Sequence, residues 1–171
     1  IRMGRTSIEL EEAGRFDQAI VVADSVRRLN PYSAEGYNVM GIALLRAGRY
    51  EQAAKELRMS ISLAEYDYRS WVNLALACNR LQKPDEMLNA LRHAQKLNPD
   101  DPNVLESMAM GFMSNRMMDS ARTYGHLLVD RDSTSYIGHL AIWVSYYIAR
   151  DLPRANQYLT RCVQLAPEGP D

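Results

Sequence analysis

The chain has 171 residues, 47% of them apolar and 24% charged, with a formal charge of -1; this is too apolar for a disordered chain and long enough to bury a core without disulfides or metals. Near-neutrality without a Lys/Arg run argues against a nucleic-acid surface, which needs a net basic face to release counterions. No apolar stretch reaches the roughly 18 residues of a membrane span, and Cys78 and Cys162 belong to no C-x-x-C or Cys/His ligand spacing.

The elements recur along the chain with a period of 34: Pro31, Pro99 and Pro167 are separated by two such steps each, with Glu65 and Ser133 in the places between. The first repeat, about 1–33, carries Ser7 and Leu10, turns at Gly14 and continues through Phe16 and Ala19. In the second, about 34–67, Tyr37, Met40, Gly41 and Leu44 fall at i, i+3, i+4 and i+7; the chain turns at Gly48, where positive φ costs glycine nothing, and Ala53, Leu57, Ser60 and Ile61 resume the helical spacing. The third, about 68–101, runs through Trp71, Leu74, Ala75 and Cys78, then Pro84, Met87, Leu91 and Ala94, with Asp85 opening its second helix. Asp100-Asp101 before Pro102 signals the start of the fourth, about 102–135, which holds Ala109, Phe112, Met118 and Ala121. Its Gly125 stands where other repeats have Leu57, Leu91 and Leu159.

The fifth repeat, about 136–169, departs most. Its first helix, near 135–149, is apolar on almost every side through Ile137, Leu140, Ile142, Trp143, Val144, Tyr146, Tyr147 and Ile148, and such a helix wants cover all round. Trp143 occupies the column of Ser7, Gly41, Ala75 and Ala109, and its ring is expected to fill the hole left by Gly125. The second helix follows with Leu152, Pro153 and Ala155. No segment alternates like a half-buried strand, so the predicted fold is all-α.

These columns resemble the tetratricopeptide repeat (TPR) family, whose pattern is W-x2-L-G-x2-Y, then A, F and P. The second repeat carries Tyr37, Met40, Gly41, Leu44, Gly48, Tyr50, Ala53 and Leu57, and the third Trp71, Leu74, Ala75, Leu91, Ala94 and Pro99. The resemblance covers essentially the whole chain. It implies five tandem repeats forming one TPR domain over 1–171, a right-handed superhelix of antiparallel helix pairs whose inner wall comes from the first helix of each pair. A single hairpin cannot cover its apolar faces, so neighbours stack and bury a seam between them. Because the opening segment is already in helical register, the chain is expected to be a piece of a longer one.

Chemistry-bearing motifs are missing: there is no P-loop, G-x-G-x-x-G after a strand, H-E-x-x-H or G-x-S-x-G. His139 falls in the column of Tyr37 and Trp71 and is expected to pack, whereas His93 and His126 are expected at the surface. Cys78 and Cys162 fall in interior columns, and Glu11-Glu12 and Asp100-Asp101 sit at helix ends, where solvation and the helix dipole account for them. No catalytic residue, metal site or cofactor is assigned, and the chain is not expected to be an enzyme.

The resemblance implies an inner wall that presents Glu35, Asn38, Ile42, Leu45 and Arg46, then Arg69, Val72, Leu76, Asn79 and Arg80, then Asn103, Glu106, Met110, Met113 and Ser114, and finally Ile137, Leu140, Val144, Tyr147 and Ile148. Within this set Asn38, Ile42, Leu45, Arg46, Arg69, Val72, Leu76, Asn79, Arg80, Met110, Met113, Val144 and Tyr147 make the candidate partner-binding groove, with Met suited to a surface that repacks and Arg46 and Arg80 suited to a carboxylate. The chaperone-tail clamp of the family does not fit, since aligning it on Asn73 puts Asn38, Ile42, Asn103 and Ser107 in its other places. The expected function is a protein-interaction scaffold binding a peptide or helix in the groove, with a regulatory or substrate-docking region of a larger enzyme as the alternative. The exposed end of the fifth repeat is expected to meet a further helix, a partner or a second copy of the chain. No nucleic-acid partner and no membrane span are expected, and a soluble cytoplasmic chain is preferred to a periplasmic one.

Overall fold

The helical spacing of the sequence becomes nine α-helices and no strand among the described residues, 15–166, of a computed structural model. They are α1 (Phe16–Leu29), α2 (Ala34–Arg46), α3 (Tyr50–Leu63), α4 (Tyr68–Arg80), α5 (Pro84–Leu97), α6 (Pro102–Ser114), α7 (Met118–Arg131), α8 (Tyr136–Ile148) and α9 (Leu152–Leu165). Helices of 13 and 14 residues alternate, and each kind begins every 34 residues. The expectations for Ser7, Leu10, Glu11-Glu12, Gly14 and Pro167 lie outside the described residues.

Local chemistry sets these boundaries. Asp67 accepts from the Arg69 amide, Asp101 from the amides of Asn103 and Val104, Ser135 from that of Gly138 and Asp151 from that of Arg154, each satisfying donors that a helix start leaves open. Pro84 and Pro102 occupy first helical positions, where their lack of an N–H costs nothing. Each of α2, α4, α6 and α8 is stopped by a residue in the left-handed region two places beyond its end: Gly48 at φ 74°, then Gln82 at 57°, Arg116 at 58° and Arg150 at 61°. One residue later the amides of Arg49, Lys83, Met117 and Asp151 donate back to the carbonyls of Leu44, Cys78, Phe112 and Tyr146, closing the helix end. The turn expected from Gly48 is thus kept in three repeats that lack a glycine there.

The chain divides after Asn98 into two compact units. In the first, small residues let helices approach: Ala19, Ala23 and Ala43 are fully buried, with Ile20, Val22, Val39 and Met40 packed on them. A methyl group on Gly41 would come within 2.6 Å of Leu57 Cγ, so Gly41 is the space that Leu57 fills. Side chains stitch neighbouring repeats: Arg27 to Glu56 at 3.3 Å joins α1 to the middle of α3, Arg49 to Asp17 at 2.7 Å joins the residue before α3 to α1, and Arg58 to Glu86 at 2.5 Å joins α3 to α5. The buried hydroxyls of Ser60 and Ser70 share a hydrogen bond of 2.9 Å, and Ser60 also donates to the Ala34 carbonyl.

In the second unit, Leu105, Ala109, Leu128 and Ala141 form a buried cluster covered by Met113, Tyr124 and Ile137. The space beside Gly125 is not taken by Trp143, contrary to expectation. A methyl there would meet the Gly138 carbonyl oxygen at 2.9 Å, Ile142 Cγ1 at 2.9 Å and Ala141 Cβ at 3.2 Å, so the missing leucine is replaced by closer approach of α7 to α8. Trp143 is half-buried, its ring 5.9 Å from that of Tyr147. Nor is α8 covered all round, since Tyr147 is 58% exposed and Ile148 55%.

Candidate functional site

A period of 34 brings Ile42 and Leu76, like Arg46 and Arg80, to equivalent turns of consecutive first helices, α2 and α4. In the first unit a cleft of about 320 Å3 is lined by Ile42, Leu45 and Arg46 of α2, Tyr50 of α3, and Asn73, Leu76 and Arg80 of α4. Five of the expected groove residues therefore share one cavity: Ile42, Leu45, Arg46, Leu76 and Arg80. Leu45 is buried into its wall, whereas Leu76 is 39% exposed and available to a visitor.

The other expected residues of this unit stand elsewhere. Asn38 is buried and its Oδ1 accepts from Asn73 Nδ2 at 3.0 Å, so it holds the Asn73 amide from behind. Arg69 is bound to Asp67 of its own helix start at 2.9 Å, and this hydrogen bond raises the guanidinium pKa above its already high ordinary value. Val72 and Asn79 are half-buried and lie outside the lining of this cleft. Tyr50 and Asn73 went unrecognised in the sequence. Tyr50 reads there as a bulky packing column, and Asn73 as a clamp position, although it lies one turn before Leu76 on the same helix face.

Arg46 and Arg80 are exposed, and among the described residues neither guanidinium has a carboxylate partner. Among the described residues the lining holds two cations, a phenol, an amide and three apolar side chains, and no acid. Such an arrangement offers hydrogen-bond donors beside an apolar wall and contains no nucleophile with an adjacent base.

A second cavity of the same unit, about 260 Å3, is lined by Arg58, Ile61, Trp71, Leu74, Cys78, Glu86, Asn89 and Ala90. Beside it His93 is half-buried with its ring stacked on Trp71, centroids 4.4 Å apart, and so is not the free surface residue expected. In the second unit His126 is likewise half-buried, edge-on to Tyr158, while His139 is buried as expected, with Nε2 2.9 Å from the Ser133 carbonyl oxygen. Cys78 and Cys162 are buried, and burial pushes both thiols up from their ordinary pKa.

Of the groove residues expected in the second unit, Met110 and Tyr147 are exposed and Met113 and Val144 are half-buried, Met113 being part of the cover over Leu105 and Leu128. On α9, Leu152, Leu159 and Val163 are exposed.

The tetratricopeptide repeat family model matches residues 6–68 and 38–102, together more than half of the chain. The chain belongs to the tetratricopeptide repeat family. Its likeness to solved TPR structures runs over nearly its full length: it resembles the TPR protein TTC0263 of Thermus thermophilus with a TM-score of 0.81 and 16% identity, over 98% of this chain and 91% of that one. The likeness to MamA from Desulfovibrio magneticus RS-1 has a TM-score of 0.81 and 16% identity, over 95% and 92%. That to YrrB, described as a TPR protein with an unusual peptide-binding site, has a TM-score of 0.74 and 17% identity, over 98% and 87%. These likenesses establish the all-α repeat solenoid. Among curated proteins, human tetratricopeptide repeat protein 7A is 26% identical over 150 residues, which is 78% of this chain and 18% of the relative's length. Human tetratricopeptide repeat protein 7B is 27% identical over 64% of this chain and 14% of its own length. This TPR chain thus spans less than a fifth of the curated relatives it matches. No helix among the described residues is long and apolar enough to cross a membrane.

Proposed function

We propose that the chain is a protein-interaction scaffold without catalytic activity of its own, and that it binds a peptide or helix of a partner protein along the first helices of its repeats. The observation that carries this reading is the cleft between α2 and α4, where Leu76 is accessible and Arg46 and Arg80 have no carboxylate partner among the described residues. Family membership supports the scaffold role, and the described peptide-binding site of YrrB makes a peptide ligand a reasonable occupant here. In the second unit, taken by itself, Met110, Met113, Val144 and Tyr147 are the proposed partner-binding residues.

Pull-down from an extract with the unaltered chain and with Leu76→Glu tests the groove. A bound partner would force the new carboxylate out of water, at a cost of several kcal/mol. Loss of capture is expected with helix content unchanged, and unchanged capture overturns the groove as the site. Because the chain matches under a fifth of its curated relatives' length, the same groove would serve equally as the docking region of a larger protein.

The exposed Leu152, Leu159 and Val163 favour a second contact through the fifth repeat, with another copy of the chain as the occupant. Static light scattering is expected to show a dimer that Val163→Glu dissociates, and a monomer at all concentrations overturns it.

A further inference from the structure

We infer that the cleft between α2 and α4 selects a carboxylate, seated between Arg46 and Arg80 with an apolar neighbour of the same peptide against Ile42, Leu45 and Leu76. This rests on the groove reading above and adds the chemistry of the ligand.

Among the described residues, the first unit pairs most of its arginines. Arg27 and Arg28 are held by Asp24, Arg49 by Asp17, Arg58 by Glu86 and Arg69 by Asp67. Arg46 and Arg80 are the ones that line a cavity and have no such partner; Arg15 and Arg92 also lack one, but lie outside the lining of both cavities. An arginine at a helix end is ordinarily explained by the helix dipole. That accounts for either residue alone, but the column reads Glu12, Arg46, Arg80, Ser114 and Ile148, so the cation appears in the two repeats that wall this cleft and in none of the other three.

The rest of the lining suits an anion. Among the described residues it contains no acid to compete, and the Tyr50 hydroxyl and the Asn73 amide add neutral donors. One Asn73 N–H is committed to Asn38 Oδ1, which fixes the amide's orientation and leaves the other N–H to a ligand. A planar guanidinium fork matches a carboxylate with two parallel hydrogen bonds, and the adjoining apolar wall asks for an uncharged neighbour beside it. Two cations in a chain of net charge -1 are too few for a polynucleotide, whose binding scales with the number of phosphates neutralised.

The test is selection against the full 171-residue chain from two random heptapeptide libraries, one displayed with free C-termini and one with the termini blocked. Enrichment of Asp or Glu beside Leu, Ile, Val or Met in the blocked library identifies a side-chain carboxylate. Enrichment confined to the other identifies a chain terminus. Selected peptides, synthesised with a fluorophore, should bind Arg46→Gln and Arg80→Gln about tenfold or more weakly, the range for a lost hydrogen bond to a charged group. The salt dependence of their binding should flatten in both variants, while circular dichroism shows an unchanged helix content. Neutral peptides that need Leu76 but are indifferent to both arginine changes would overturn the carboxylate and leave the groove standing. Peptides indifferent to Leu76→Glu, or no enrichment from either library, would remove the groove and the carboxylate together.

Discussion

Gly125 and Gly138 meet backbone to backbone: a methyl on Gly125 would come within 2.9 Å of the Gly138 carbonyl oxygen, and one on Gly138 within 3.2 Å of the Gly125 carbonyl oxygen. The first consequence is a stability difference with a definite sign. Gly125→Ala gains about 1 kcal/mol of helix propensity but overpacks a contact whose other side is main chain, at about 1–3 kcal/mol. A net loss of up to about 2 kcal/mol is expected, and Gly125→Leu, the residue most other repeats carry there, should lose more. Urea unfolding measures it, and an unmoved midpoint for Gly125→Leu would contradict the contact.

The three side-chain-bearing residues in the left-handed region give the opposite sign. At Gln82, Arg116 and Arg150 the backbone conformation costs an L-residue about 1–2 kcal/mol that glycine does not bear. Glycine's greater freedom in the unfolded chain returns about 0.5–1 kcal/mol of that. Gln82→Gly, Arg116→Gly and Arg150→Gly should therefore each stabilise by roughly 0.5–1 kcal/mol, and Gly48→Ala should destabilise by a similar amount. Thermal unfolding of the four variants decides it, the prediction failing if all four shift the same way.

Asp24 gives a pH dependence. The hydrogen bond from Arg27, with the charges of Arg28 and Arg27, outweighs partial desolvation and holds this carboxyl below its usual value. A folded pKa below the unfolded one means that the stabilisation is fully present above the ordinary aspartate value, about 4, and is lost as pH falls through the lower folded value. The surface character of the pair limits it to about 1 kcal/mol or less. Asp24→Asn should be less stable than the parent at pH 7, and the gap should close as pH drops below about 4. A gap that is constant with pH would show that the ion pair does not contribute.

The two thiols report on opening. Cys78 is fully buried and Cys162 nearly so, and both are pushed away from the reactive thiolate by burial. Ellman's reagent should react with neither in the native state except as the chain opens. Cys162, on the last described helix, should react before Cys78, which lies inside the first unit. Equal rates for the two would indicate global opening alone.

Much of the architecture was legible because it depends on period and on local chemistry. The recurrence of Tyr37, Met40, Gly41 and Leu44 one period before Trp71, Leu74, Ala75 and Cys78 sets the helix phase, and the caps at Asp101 and Asp151 are readable one residue at a time. Gly125 shows the limit. A missing side chain announces missing volume, but whether a ring enters or the helices close is decided by the partner helix, and Gly138 allowed closure. The stacking of His93 on Trp71 was hidden for a similar reason, since a histidine on a polar stretch says nothing of the aromatic beside it. At the cleft, Arg46 and Arg80 could be found because they are in register, whereas Asn73 and Tyr50 have no counterpart of the same type and function through what they face.

The invariance of the turn after α2, α4, α6 and α8 has an evolutionary consequence. Any two of these bends can be superposed by sliding along the chain in whole steps, so a crossover between corresponding points rejoins backbone of the same geometry. Copies could be deleted or duplicated without a new linker, and only the side chains at the splice would need to accommodate one another. Such a molecule can change length by recombination and adjust its chemistry afterwards.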